Sequence, residues 1–561
     1  MNWTYIFFNR IKKSAFLYSM LLMFSLALIS SCTKDVLTQN SLSSFSEDQV
    51  WNDGALIETY TNNIYRIVPN GHQRIYTGFM GVTDEGASRA NTNAAIVNAG
   101  NITAASLGSR SWSNSANPLD YWAMYYGVIK NCNEVLQKID AAPIEASFRD
   151  RMKGEVTFLR AYSYFRLVAL HGGVPLITKP FSITDNFNVP RNTYDECMNF
   201  VVAELDAAAN LLPLEHDNAN KGRATKGAAL AIKSRALLYM ASPLNNPSNN
   251  TAKWQAAADA AKAVIDLNKY SLYSSYKNLF LITGAYNSEV IWARPFNNLI
   301  YLEAYVELYY YPNGYDGYGQ IFPLHNLVDA YETLNGKLPE DDPTYDSQNP
   351  YVNRDPRFYM TILYDGAPFK GRAVETFVPG GKDSYEGAVW NWNATETGYY
   401  LRKFVDESIT TPGSTNIGNS PFLYCRYAEI LLNYAEAKYF LGDEPTCRQY
   451  INMVRSRPDV NMPPVTESGA TLLTRLQHER QIEFACEEHR WFDVRRWKIA
   501  PIVLNIPGKR ISIIKNLTTG VKTYTIIDFQ PTRAFYDRNY LVPIPQTEIE
   551  RNSLLEQNPG Y

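Results

Sequence analysis

EEHRWFDVRRWK, Glu487 to Lys498, gathers three acids, three arginines, a lysine, a histidine, two tryptophans and a phenylalanine into twelve residues. The stretch admits three readings: a catalytic cluster, a grip on nucleic acid, or framework. Its lead-in runs from His478 to Cys486 and completes a row of Glu479, Glu483 and Glu487 at i, i+4 spacing. Like charges on one helix face repel unless cations separate them. Arg480, Arg490, Arg495 and Arg496 are the nearest cations in sequence. A guanidinium can lie on Trp491 or Trp497 while its fork holds a carboxylate, so the segment predicts a partly buried, self-satisfied knot. A nucleic-acid grip would need unpaired positive charge, and here acids nearly balance bases.

The same balance holds for the whole chain. Its 561 residues, by length alone compatible with roughly two to four domains, carry 53 basic against 56 acidic side chains. A net charge of −3 supplies no field to gather phosphate backbones, which removes nucleic acid as a partner. Tyrosine is abundant, at 40 residues. Such a surplus suits surfaces that meet flat, hydroxyl-rich ligands, although most of these rings are expected to pack between helices.

The N-terminus has the plan of an export signal, with Arg10, Lys12 and Lys13 ahead of an apolar run from Ala15 to Ser30. That run is short for a membrane span, which needs about 20 residues. Ile29-Ser30-Ser31-Cys32 resembles a bacterial lipobox. It predicts a signal peptide over 1–31, acylation of Cys32 and a polar tether over 32–46. The remaining cysteines, Cys132, Cys197, Cys425, Cys447 and Cys486, are odd in number and contain no CxxC pair. They make neither a disulfide framework nor a zinc ribbon, and are expected as small buried apolar side chains.

Helical periodicity dominates the N-terminal half. Tyr121 to Ala141, Glu155 to Leu170, Thr193 to Leu212, Thr225 to Ala241 and Ala252 to Leu267 read as hairpin-like helix pairs. Thr193 with Glu196 makes a capping box, and His171-Gly172-Gly173-Val174-Pro175 stops the helix before it. This pairing has the look of tetratricopeptide stacking without its strict consensus. From about Tyr270 to Ser420 the texture becomes Gly-, Pro-, Asn- and Tyr-rich, with short strands such as Glu289 to Ala293. Loops this long are uncommon unless functional. Helices return at Phe422 to Leu441, Pro445 to Arg457 and Leu472 to His489, and Ile511 to Phe529 alternates as a hairpin around Thr518-Thr519-Gly520. The expectation is a mostly α fold of tetratricopeptide-like helical pairs, one large domain over 47–561 with long surface loops and few strands.

Catalytic motifs are missing. The six histidines form no HExxH or other close ligand pair, so the sequence supports no metal site. Gly314, Gly317 and Gly319 neither follow a strand nor open a helix, and no GxSxG or Walker sequence occurs. Paired carboxylates carry no information, since 56 acids always bring some pair within the roughly 5–10 Å that glycoside hydrolysis requires. No catalytic residue and no cofactor is assigned. A calcium ion held by scattered loop oxygens would leave no sequence mark.

Several of these segments, taken together, resemble a known family. Glu479-Arg480, Glu483, Arg490-Trp491-Phe492-Asp493 and Arg496-Trp497 resemble the C-terminal signature of the SusD/RagB outer-membrane lipoproteins. Tyr540 to Tyr561, YLVPIPQTEIERNSLLEQNPGY, resembles the family's terminal motif, and Tyr427 to Ala437 and Glu155 to Pro175 agree with it. The resemblance implies a non-catalytic surface lipoprotein that lids a SusC-like TonB-dependent transporter and captures oligosaccharide for import. Peptide or glycopeptide capture is the alternative within the family. A secreted glycoside hydrolase and a purely structural lid are the rivals outside it. The export tract that often follows the lipidated cysteine is reduced here to Lys34-Asp35.

Binding residues do not carry over by motif and must be chosen by chemistry. Sugar recognition wants an aromatic face for the apolar side of a ring and planar polar groups for hydroxyls. Three loop stretches combine them: Asp84, Arg89, Asn91 and Asn93 leading toward Trp112; Tyr310, Tyr315 and Tyr318; and Trp390 with Trp392. Trp122, Trp254, Trp491 and Trp497, on helices, are expected in the core.

Overall fold

The computed structural model describes residues 46–72, 78–89, 92–108, 117–297, 304–388, 391–413, 416–530 and 532–561. The expected signal peptide, Cys32 and nearly all of the tether lie outside them. Two compact units are defined. The described part of the smaller is 46–59 with Ala142–Ile144, and it opens on the short helix Glu47–Trp51, whose Ser46 and Gln49 form a reciprocal capping box. The larger comprises Tyr60–Ala141 and Glu145–Tyr561.

The larger unit is built on a run of helices, each packed on the next: α1 Trp122–Lys138, α2 Ala146–His171, α3 Tyr194–Leu211, α4 Lys226–Ala241 and α5 Thr251–Ile265. The predicted capping box at Thr193 is present, with Glu196 returning to the Thr193 N–H at 2.7 Å. Helix α2 begins well before the expected Glu155, because Glu145 accepts the Ser147 N–H at 2.8 Å and starts it there. Its first turns, SFRDRMK, are too polar to show a stripe.

The array resumes across some 160 residues of chain, where α5 packs against α6 Tyr427–Phe440, which contacts α7 Glu444–Arg455 and α8 Gly469–Glu483. Two expected helices are corrected here. Phe422–Arg426 is a strand, β4, antiparallel to β2 Val290–Arg294, so the helix starts only at Tyr427. The helix expected over Leu472 to His489 ends at Glu483, and left-handed Cys486 (φ 66°) and Glu488 (φ 68°) turn the chain into α9 His489–Arg496. The intervening loop region holds β1 Gly86–Ser88 against β3 Ile321–Pro323, and the predicted hairpin forms from β5 Gly508–Lys515 and β6 Lys522–Gln530.

The row of glutamates is buried and bonded, as the opening stretch predicts, but by other cations. Arg357 reaches Glu479 at 2.6 Å and Glu483 at 3.0 Å, while Arg426 reaches Glu483 at 2.7 Å and Glu487 at 2.8 Å. Arg455 joins Glu479 to Glu332, each at 2.8 Å. Arg457 pairs with Glu483 and Glu289, Lys403 with Glu487, Arg357 with Asp355, and Arg475 with Glu332. Six cations thus face six carboxylates. Burial alone would raise the Glu483 carboxyl, yet Arg457, Arg426 and Arg357 hold it far below its usual range. The arginines near in sequence bind elsewhere: Arg480 and Arg496 share Asp493 of α9, Arg496 and Trp497 grip Glu436, Arg495 lies on the Trp491 ring, and Arg490 pairs with Asp84. All four helix tryptophans are buried, as are the five cysteines, which are free.

Candidate functional site

Residues 305–320 double back on themselves. The Tyr318 N–H donates to Leu308 O and the Gln320 N–H to Tyr309 O, both at 2.7 Å. The approach is so close that a Cβ on Gly317 would sit 2.1 Å from Tyr311 O, and Gly319 takes φ 47°. This fold-back sets Tyr305, Tyr309 and Tyr318 in a file, with ring centroids 5.9 and 5.7 Å apart and near-perpendicular planes. Trp392, carried by the turn Asn391–Asn393, extends the file at 6.1 Å from Tyr318. Its side chain is 59% exposed, whereas the tyrosines are half-buried. Rings held edge to face by their neighbours keep one face or edge open at little entropic cost, and a tilted indole at the end offers a flat apolar surface.

Polar groups border this shelf. The Arg89 N–H donates to Gln320 O at 2.9 Å and Gln320 Nε2 donates back to Arg89 O at 2.9 Å, which ties the β1 end to the segment bearing Tyr318. Glu396 is exposed on the turn that follows Trp392.

Of the expected residues, then, Arg89, Tyr318 and Trp392 are brought together. Asp84, Tyr310 and Tyr315 are not, and these three are corrected to interior roles. Asp84 is buried against Arg490 at 2.7 Å; burial would raise its carboxyl, but the guanidinium keeps it below the usual range. Tyr310 packs in the loop core. The Tyr315 hydroxyl donates to Phe369 O at 2.8 Å beneath the Arg372 guanidinium, 3.8 Å from its ring centre. Asn93 is half-buried on the short helix Thr92–Asn98. Asn91, Trp112 and Trp390 lie outside the described residues. Tyr305 was missed by the sequence reading, though its i, i+4 spacing to Tyr309 was the available signal.

Among the described residues no group of three or more His, Cys, Asp or Glu is placed to hold a metal ion, and no helix is long and apolar enough to cross a membrane. A cavity of about 800 Å³ lies between α1, the 175–189 segment and the helix Gln546–Arg551, with Trp122, Ile129, Phe181 and Phe187 in its wall. Its mainly apolar lining suits a hydroxyl-rich ligand less well than the shelf does.

Fold and site together define a class: a helical-repeat scaffold whose long inserted loops present an aromatic shelf. Comparison with known proteins agrees. The profile of the SusD family matches residues 287–561, and one described as "Starch-binding associating with outer membrane" matches 35–238. The chain belongs to the SusD family. A SusD-like protein of Bacteroides ovatus is 22% identical over 486 residues, 78% of this chain and 80% of that one. A crystal structure of a SusD-like protein from Bacteroides fragilis superposes with a TM-score of 0.77 at 29% identity, covering 93% of this chain and all of that one. A second from the same organism, a SusD-like carbohydrate binding protein, gives 0.77 at 27%, covering 90% of this chain and all of that one.

Proposed function

We propose that this chain is a cell-surface lipoprotein that binds oligosaccharide on the Tyr305–Tyr309–Tyr318–Trp392 shelf and delivers it to a SusC-like TonB-dependent outer-membrane transporter. In this reading residues 1–31 are removed, acylated Cys32 anchors the protein, 47–561 act as one SusD-like domain, and the chain catalyses no reaction of its own. The observation that carries it is the shelf: four aromatic rings in file, ending in an exposed indole and bordered by an arginine and a carboxylate. The family's outer-membrane association and the carbohydrate binding of its Bacteroides fragilis relative support it.

Isothermal titration against a panel of neutral and acidic oligosaccharides tests the reading. Trp392→Ala is expected to weaken binding about ten-fold or more, a loss of ~1.4 kcal/mol or more, with unfolding unchanged. Absence of heat with every glycan would remove the binding function, and sugar release by the purified protein would replace it with hydrolysis. Co-purification of a TonB-dependent barrel with the protein from native outer membranes tests delivery.

A further inference from the structure

The two loops that border the shelf each bury a hydrogen-bond donor that finds no acceptor. Arg89 is pinned through its backbone to Gln320, two residues past Tyr318. Its guanidinium is half-buried, and Nε is shielded from solvent with no partner. Among the described residues no carboxylate comes within 4.0 Å of it, the distance of an ion pair. Burial pulls the guanidinium's pKa down, and Glu396, exposed and near enough only to be felt through space, restores part of it. On the other loop Asn393, adjacent to Trp392, is 1% exposed, and its Nδ2 is likewise shielded and unbonded.

A half-desolvated guanidinium without acceptors costs stability, and other buried cations of this molecule have them: the six around Glu479 and Glu483 have carboxylates, while Arg354, Arg495 and Arg533 donate to backbone carbonyls. A guanidinium with no bond of its own among the described residues, on backbone tied two residues past Tyr318, is therefore a group whose partner arrives with the ligand. Neutral hydroxyls could accept from it, but only an anion supplies the missing charge, and Arg fits planar or bidentate acceptors best.

We infer that the shelf takes an acidic oligosaccharide, whose carboxylate or sulfate ester pairs with Arg89 while a sugar ring stacks on Tyr318 or Trp392. This rests on the proposed glycan-binding function and narrows its ligand class. Glu396 then acts as a weak intramolecular competitor for the same guanidinium.

The test is calorimetry of the purified chain with three hexasaccharides: laminarihexaose (neutral), an alginate hexasaccharide (carboxylates) and a heparin-derived hexasaccharide (sulfates). At least one acidic probe should bind about ten-fold tighter than the neutral one. That advantage should shrink as salt is raised from about 0.05 to about 0.5 M, as screening requires. Arg89→Gln should abolish the acidic-over-neutral advantage and its salt dependence at an unchanged melting temperature, which a merely structural role would not do. Glu396→Gln should tighten the acidic probe. Equal affinity for neutral and acidic probes, or an acidic affinity untouched by Arg89→Gln, overturns the inference and leaves glycan binding standing. Failure of all three probes to bind also overturns the inference, and heat with another glycan of the panel would then keep the binding function.

Discussion

Glu85 and Asp84 are neighbours in sequence whose carboxyl pKa values are shifted in opposite directions. Asp84 has Arg490, whereas Glu85 is buried with Oε2 unpartnered, and only Oε1 accepts a bond, from the Cys486 N–H at 3.2 Å. Burial first, and the Asp84 charge second, push its carboxyl up to about 8. The folded pKa lies above the unfolded value of 4.5, so the stability this group contributes is fully present below 4.5 and is lost as pH rises toward 8. Across that window the loss runs at up to about 1.4 kcal/mol per pH unit. Glu85→Gln removes the titration. Its melting temperature should therefore gain on the wild type steadily between about pH 5 and about pH 8, and a gap that stays flat would show that Glu85 ionises normally. The same scale explains what was legible in the knot. Spacing alone revealed that Glu479, Glu483 and Glu487 needed cations, a local inference. Their actual partners, Arg357, Arg426, Arg455 and Arg457, come from other elements, and nothing in a helix's own spacing names them.

Elements whose ends are set locally were readable, and those set by distant partners were not. Thr193 and Glu196 cap each other three residues apart, so α3 could be placed to the residue. β4 exists because Val290–Arg294 lies alongside it, over a hundred residues earlier, and pairing there overrides a pattern that continues the helical stripe of α6. The C-terminal run shows a third case, in which two recognisable segments turn out to hold each other. Asn558 Nδ2 donates to Val542 O at 2.7 Å and to His171 O at 3.0 Å, and its Oδ1 accepts from Arg191 at 2.9 Å. It thereby satisfies the carbonyl at the end of α2, next to Gly172 at φ 74°. Asn558→Ala removes three hydrogen bonds but leaves the His171 carbonyl with Arg191 at 3.0 Å and the Val542 carbonyl with His171 Nδ1 at 3.1 Å, and should cost about 1–2 kcal/mol. A urea midpoint within error of wild type would mean that water or Gln557 takes over the clamp.

At the scale of the whole molecule, the knot joins what the sequence separates. Glu289, Glu332, Asp355, Arg357 and Lys403 come from the loop-rich region, and Arg426, Arg455, Arg457, Glu479 and Glu483 from the helical return, so the buried charges weld the insertion to the array. The loop-rich character of 270–420 was legible from its composition. Which of its tyrosines face outward was not, because Tyr310, Tyr315 and Tyr318 differ only in how the chain doubles back at Gly317 and Gly319. Scaffold and shelf should therefore fail independently. Trp497 Nε1 donates to Glu436 at 2.8 Å within α9's own cluster, far in role from the shelf, and Arg496 still holds that carboxylate if the indole is lost. Trp497→Phe should cost about 1–2 kcal/mol and lower the melting temperature while the folded protein keeps its glycan affinity. Trp392→Ala should do the reverse, losing affinity at unchanged stability. A stable Trp497→Phe protein that no longer binds would show that EEHRWFDVRRWK reaches the ligand, and a destabilised Trp392→Ala would show that the shelf is packing.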